Sequence, residues 1–150
     1  MNAEVVRRWY EIAGGGDLDA LHEILATDTV DHVSGQTGVE WWKRILGAAR
    51  ACIDAEPGEL DDLICSGDRV VARFTVRGRY RAATLPMLQG TEPAGQSVEW
   101  EHVHLFRLVE GRIAEHWAVR DDLGLLRQIS GDEALDGPPP GGGATPSPST

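Results

Sequence analysis

The apolar positions along the chain fall into two regimes. As far as about residue 56 they recur at helical spacing, and from residue 60 the period becomes two. Over residues 3–14, Val5, Val6, Trp9, Ile12 and Ala13 share one side of a helix that Gly14-Gly15-Gly16 ends. Asp17 then stands where a second helix needs an N-cap, with Leu18, Leu21, Ile24 and Leu25 following on one side. Residues 29–33 read as a short extended piece before a Ser-Gly-Gln-Thr-Gly turn. A third helix is predicted over about 39–54, carrying Trp41, Trp42, Ile45, Leu46 and Ala49, and Pro57-Gly58 breaks it. Strands are predicted over 60–65, 70–79, 98–108 and 112–119, with Ser66-Gly67-Asp68 and Glu110-Gly111 as hairpin turns. A short helix near Gly124-Leu125-Leu126 closes the series. Helices first and an antiparallel meander second predict an α+β fold, its N-terminal helices packed on one face of a strongly curved antiparallel sheet. That arrangement leaves a cone-shaped gap, the usual place for a small-molecule site.

Composition sets the limits. The chain has 150 residues, the length of one domain, with 24 acidic against 14 basic side chains and a net charge of -10. That negative field argues against nucleic acid and against anionic membrane surfaces, which both need a basic footprint. No apolar run reaches the length of a membrane span, and the N-terminus lacks the apolar core of a signal peptide, so a cytoplasmic location is expected. Residues 131–150 turn to Pro138-Pro139-Pro140, Gly141-Gly142-Gly143 and a Pro/Ser/Thr end, with Leu135 as their one large apolar side chain. They cannot bury enough surface to offset ordering entropy, so the expected domain is 1–130 and the rest a disordered tail. The tail holds three acids and no base, which leaves -7 for the domain. Two cysteines, Cys52 and Cys65, make no disulfide framework.

No nucleophile elbow, phosphate loop or dinucleotide fingerprint is present. His102 and His104 lie two apart on one strand and share a face. With Glu110 and His116 they give an H-x-H…E…H order like that of cupins, but cupins are all-β and this chain opens with helices. No metal and no organic cofactor is therefore expected. Asp121 follows Trp117 by four residues, so in a regular strand the two share a face with Val119. A carboxylate beside tryptophan in a poorly solvated pocket works as a general acid or base; the alternative is that Asp121 or Asp122 caps the following helix. Five tryptophans, Trp9, Trp41, Trp42, Trp100 and Trp117, either fill the core or line the gap.

The segment Glu115-His116-Trp117-Ala118-Val119-Arg120-Asp121-Asp122-Leu123-Gly124-Leu125-Leu126-Arg127-Gln128 resembles the closing signature of SnoaL-like polyketide cyclases, members of the nuclear transport factor 2-like or ketosteroid isomerase-like superfamily. Gly16-Asp17-Leu18-Asp19-Ala20-Leu21, Val30-Asp31-His32, Gly67-Asp68-Arg69-Val70-Val71-Ala72-Arg73, Gly90-Thr91-Glu92-Pro93-Ala94-Gly95-Gln96, and Phe106-Arg107-Leu108 with Glu110-Gly111-Arg112-Ile113 agree in order. The resemblance covers residues 4–130. It implies an α+β cone, a homodimer or homotetramer, and cofactor-free closure of a polyketide ring by intramolecular aldol chemistry in natural-product biosynthesis. It carries the acid/base role to Asp121, suggests His104 as partner, and matches His32 to a pocket-side histidine. Ala94 departs from the threonine common in the family loop.

On this reading Asp121 removes an acidic C–H proton and His104 steadies the enolate or protonates the alkoxide. Trp117, Trp100, Trp9 and His102 contact a hydrophobic, polycyclic substrate, and Arg73 either binds an enolate or carboxyl group or lies on the outer face of the sheet. Two other functions stay open: hydrolysis, dehydration or hydroxylation in the same pocket, and ligand binding without catalysis.

Overall fold

The computed structural model describes residues 1–131. The tail expected over 131–150 therefore lies, from Asp132 onward, outside the described residues. Helix α1 (Asn2–Ala13) turns Val6, Trp9 and Ile12 inward. A 3₁₀ turn (Leu18–Ala20), capped by Asp17 accepting from the Asp19 N–H, leads into the short helix α2 (Leu21–Ile24). Strand β1 (Leu25–Asp31) follows at once, earlier and longer than predicted, and β2 (Gln36–Thr37) turns back on it. Helix α3 (Val39–Cys52) buries Val39, Trp42, Leu46 and Cys52. The remaining strands are β3 (Ile53–Ala55), β4 (Asp62–Ser66), β5 (Arg69–Tyr80), β6 (Ser97–Val109) and β7 (Arg112–Arg120), before helix α4 (Asp122–Ser130).

These strands form one curved, unclosed sheet in the order β2-β1-β7-β6-β5-β3, with β4 also on β5. The fold is α+β, as the period change predicts. Its sheet is mixed, because β1 runs parallel to β7 while the other pairs are antiparallel. The parallel pair sets Asp31 beside His116. Neither β1's partner nor the two short strands β2 and β3 were predicted.

The long β5–β6 pair fixes the inner face. Val70, Ala72 and Phe74 of β5 face Phe106, His104 and His102 of β6. Trp9 sits at the centre of this layer, its ring centroid 4.9 Å from Phe106 and 5.0 Å from His104. Burying a large side chain of this kind contributes about 1.5–3 kcal/mol. A second apolar cluster, with Tyr80, Leu88, Val98, Trp100, Leu125 and Ile129, seats α4 against the far end of the sheet. Between the helices and the sheet a large cavity remains. Among the described residues no helix is long and apolar enough to cross a membrane.

Candidate active site

The cavity has a volume of about 870 Å³ and mostly apolar walls, formed by Trp9, Trp41, Trp42, Phe74, Leu85 and Trp100 among others. Its polar lining includes Asp31, His102, His104, His116, Arg120 and Asp122. Four of these form a single chain. His116 Nδ1 lies 2.9 Å from Asp31 Oδ1, His116 Nε2 lies 2.7 Å from His104 Nδ1, and His104 Nε2 lies 3.1 Å from His102 Nδ1. The last atom, His102 Nε2, is buried and has no hydrogen-bond partner in the protein.

Strand geometry explains the chain. His102 and His104 are two apart on β6, so both rings point inward and stack 5.4 Å apart at 7°. His116 joins them from β7, and Asp31 from β1. Asp31 also accepts from Ser34 Oγ at 2.6 Å and Trp41 Nε1 at 3.1 Å. Burial raises its carboxyl pKa, but the hydrogen bonds from His116, Ser34 and Trp41 outweigh that and hold it well below the usual carboxylate range. Burial, then the Arg120 guanidinium, pushes His102 down to about 3. Burial and the neighbouring rings hold His104 well below its ordinary value. Burial lowers His116 too, against the pull of Asp31. All three imidazoles are therefore neutral at neutral pH.

Arg120 stands opposite His102 on the inner face. Its guanidinium lies over the Trp100 ring at 5.2 Å, and Asp122 holds both, at 3.1 Å from Trp100 Nε1 and 3.5 Å from Arg120 Nε.

Of the residues expected in the site, Trp9, Trp100, His102 and His104 line this cavity. The other four are not brought to it. Asp121 caps α4, its Oδ1 accepting the Gly124 N–H at 2.9 Å, and its exposed side chain lines a shallow polar depression with Arg77, Glu99 and Gln128. Trp117 is on the outer face, because it pairs with Leu105 rather than with an inward residue of β6. There it stacks on His32 at 4.5 Å and 6°, with Arg69 over its ring. His32 in turn reaches Glu115 at 2.9 Å. Arg73 is also outside, bonded to Asp62 at 2.6 Å. Sequence spacing alone does not single out Asp31, Arg120 or Asp122 as site residues, and it offers His116 only as a metal ligand. Period-two spacing from His116 through Ala118 to Arg120 was the signal available for two of them. Among the described residues no group of three or more His, Cys, Asp or Glu is arranged to hold a metal ion.

The family model of the SnoaL-like polyketide cyclases matches residues 3–129, and the chain belongs to that family. No curated protein matches the sequence significantly. Among solved structures it is similar to IdmH from Streptomyces antibioticus, described as a "putative polyketide cyclase", with 26% identity and a TM-score of 0.70 over 86% of this chain and 98% of that one. TsrD from Streptomyces laurentii is 25% identical with a TM-score of 0.72, covering 85% of this chain and 93% of its own. AclR from Streptomyces galilaeus, a "putative hydroxylase", shares the fold at 20% identity and a TM-score of 0.71, over 90% of this chain and 87% of its own.

Proposed function

We propose that this chain is an enzyme that closes a ring of a polycyclic, polyketide-type intermediate by acid/base intramolecular aldol chemistry, with His102 as the group that exchanges a proton with the substrate. One observation carries the reading: His102 lines a large apolar cavity, and its Nε2 is buried without a hydrogen-bond partner in the protein. A lone buried polar atom is costly unless a ligand group meets it. The fold itself fits an apolar substrate, since Trp9, Trp41, Trp42 and Trp100 line the space.

The chemistry follows from the order of the groups. A neutral imidazole can take the proton of a C–H between two carbonyls; burial and Arg120 hold His102 near 3, and the negative charge developing on the substrate beside it offsets that penalty. The enolate oxygen then needs a cation or donor, and Arg120, opposite His102, supplies five N–H donors. The enolate carbon attacks a carbonyl of the same molecule, forming the C–C bond, and the resulting alkoxide recovers the proton. Holding the two carbons together in a shaped cavity lowers the barrier by about 7–11 kcal/mol relative to separate reactants. Membership in the SnoaL-like polyketide cyclases supports this reaction class. In this reading Asp121 holds the start of α4 and does not handle protons.

The test is turnover of an aromatic polyketide analogue bearing a 1,3-dicarbonyl side chain, followed by mass spectrometry in heavy-oxygen water. Ring closure without solvent oxygen in the product supports the proposal, and His102→Gln is expected to lower kcat by about 100-fold or more. Incorporation of solvent oxygen points instead to hydration or hydrolysis, and undiminished turnover in His102→Gln removes His102 from the mechanism. Tight binding with no turnover leaves a ligand-binding module.

A further inference from the structure

A neutral imidazole has one N–H and one bare nitrogen, and Asp31 leaves no freedom in how the three are arranged. Its carboxylate can only accept, so His116 carries its proton on Nδ1. His116 Nε2 is then bare, and the 2.7 Å contact requires the N–H of His104 Nδ1. His104 Nε2 is bare in turn, and the 3.1 Å contact requires the N–H of His102 Nδ1. His102 Nε2 is left with a lone pair, and this is the atom without a protein partner. A flip of any one ring tautomer would set two N–H groups, or two lone pairs, against each other at hydrogen-bond distance.

We propose that Asp31 acts as a positioning residue three rings from the substrate: it fixes His102 as a base rather than an acid and receives the charge that His102 acquires. The proposal rests on His102 being the group that meets the substrate. When His102 Nε2 takes the substrate proton, its Nδ1 proton passes to His104 Nε2, and the His104 Nδ1 proton passes to His116 Nε2. The electron pair of the C–H bond stays on the substrate as enolate. The positive charge then rests on His116, 2.9 Å from the Asp31 carboxylate, and His102 is neutral with its proton now on Nε2. His102 lines the cavity, and this N–H then protonates the alkoxide, after which the relay returns to its first state. Base and acid are one residue used in sequence. The ion pair that stores the charge is 6% and 8% exposed at its two side chains, so the charge is shielded from bulk solvent. At the far end Ser34 Oγ donates to Asp31 at 2.6 Å and helps to hold its carboxylate in place.

Nitrogen-15 NMR of the full chain, labelled at histidine and free of any substrate, reads each ring tautomer at neutral pH. His102, His104 and His116 are expected with protons on Nδ1 and bare Nε2. A His102 proton on Nε2 in the wild type overturns the proposal. In Asp31→Ala the loss of the fixed acceptor is expected to give His102 a mixture of tautomers, a change that a purely structural role for Asp31 would not produce. With the 1,3-dicarbonyl analogue, Asp31→Ala is expected to lower kcat about 100-fold or more with KM unchanged. If His102→Gln is inactive while Asp31→Ala keeps its kcat, the relay is wrong and the assigned reaction stands. If His102→Gln keeps full turnover, His102 leaves the mechanism and the relay, which rests on it, is overturned whatever the tautomers.

Discussion

His104 and His116 stand ring to ring, Nδ1 to Nε2 at 2.7 Å, because a bulge in β7 absorbs Ala114 and leaves His116 facing inward. Leu108 pairs with Ile113, but Arg107 pairs with Glu115, so Ala114 is unopposed. In an unbroken ladder from Val109 and Arg112, His104 would face Trp117. The bulge moves the register by one, and every residue after Ala114 changes face. Deleting Ala114 closes the bulge and makes Ile113, Glu115 and His116 consecutive, so His116 stays two residues from Ile113 on the inner face and the variant is expected to keep the Asp31–His116 pair. Loss of one partner of such a pair would cost about 3–5 kcal/mol, which urea unfolding would measure. A midpoint lowered on that scale would show that the bulge itself is needed to hold His116 inward.

That single residue also explains what was legible in the sequence. Helical spacing in α1 and α3, the N-cap at Asp17 and the alternation of β5 and β6 are local signals, and each appears where predicted. His102 and His104 share an inner face because their spacing lies within one regular strand. Trp117 and Asp121 were grouped correctly with Val119, and the structure keeps them together on the outside. Their spacing gave the grouping but not the side, which depends on a bulge with no turn residue to announce it. Asp31 was out of reach for another reason. Its partnership with His116 comes from a parallel pairing 85 residues apart in sequence, which no periodicity encodes.

Stability should fall in mild acid. His102, with its folded pKa near 3, and His104 and His116, both lowered, resist protonation that the unfolded chain accepts near 6.5. Above that value both states are neutral and stability is fully present. As pH falls from 6.5 toward the folded values, each histidine removes about 1.4 kcal/mol per pH unit. The lowered carboxyl of Asp31 adds a loss of the same sign, confined to pH below 3.8. Urea midpoints at pH 7.5 and pH 5 test this, and equal values would contradict neutral, buried rings.

Asp121 and Gly124 make a paired test of the capping role. Asparagine caps as well as aspartate, so Asp121→Asn should keep both turnover and stability. A Cβ at position 124 would collide with the Asp121 carboxylate, so Gly124→Ala should cost about 1 kcal/mol through the broken cap. Loss of turnover by 100-fold in a folded Asp121→Asn variant would return the acid/base role to this residue.

The two faces of the sheet predict opposite outcomes for two tryptophans. Trp117→Ala removes an outer-face stack on His32 and should leave kcat and KM unchanged. Trp100→Ala removes a cavity wall 4.2 Å from His102 and frees Asp122. Its KM should rise about tenfold, the scale of one lost aromatic contact. Steady-state kinetics on the two variants compare them directly, and the reverse ranking would put the substrate on the outer face.

Arg120 faces two demands that its removal separates. Its charge steadies an enolate oxygen, and the same charge makes His102 harder to protonate, second only to burial. Arg120→Met should lower kcat by about 100-fold through the lost donors, the usual effect of removing one oxyanion contact. It should also raise the His102 pKa, since a repelling cation is gone. The acid limb of kcat/KM then moves to higher pH even as the rate falls. A variant that lost packing alone would lower the rate without moving that limb. The pH–rate profile thus tells a group acting on the base from one that shapes the wall. An unmoved limb with full kcat would remove Arg120 from the site.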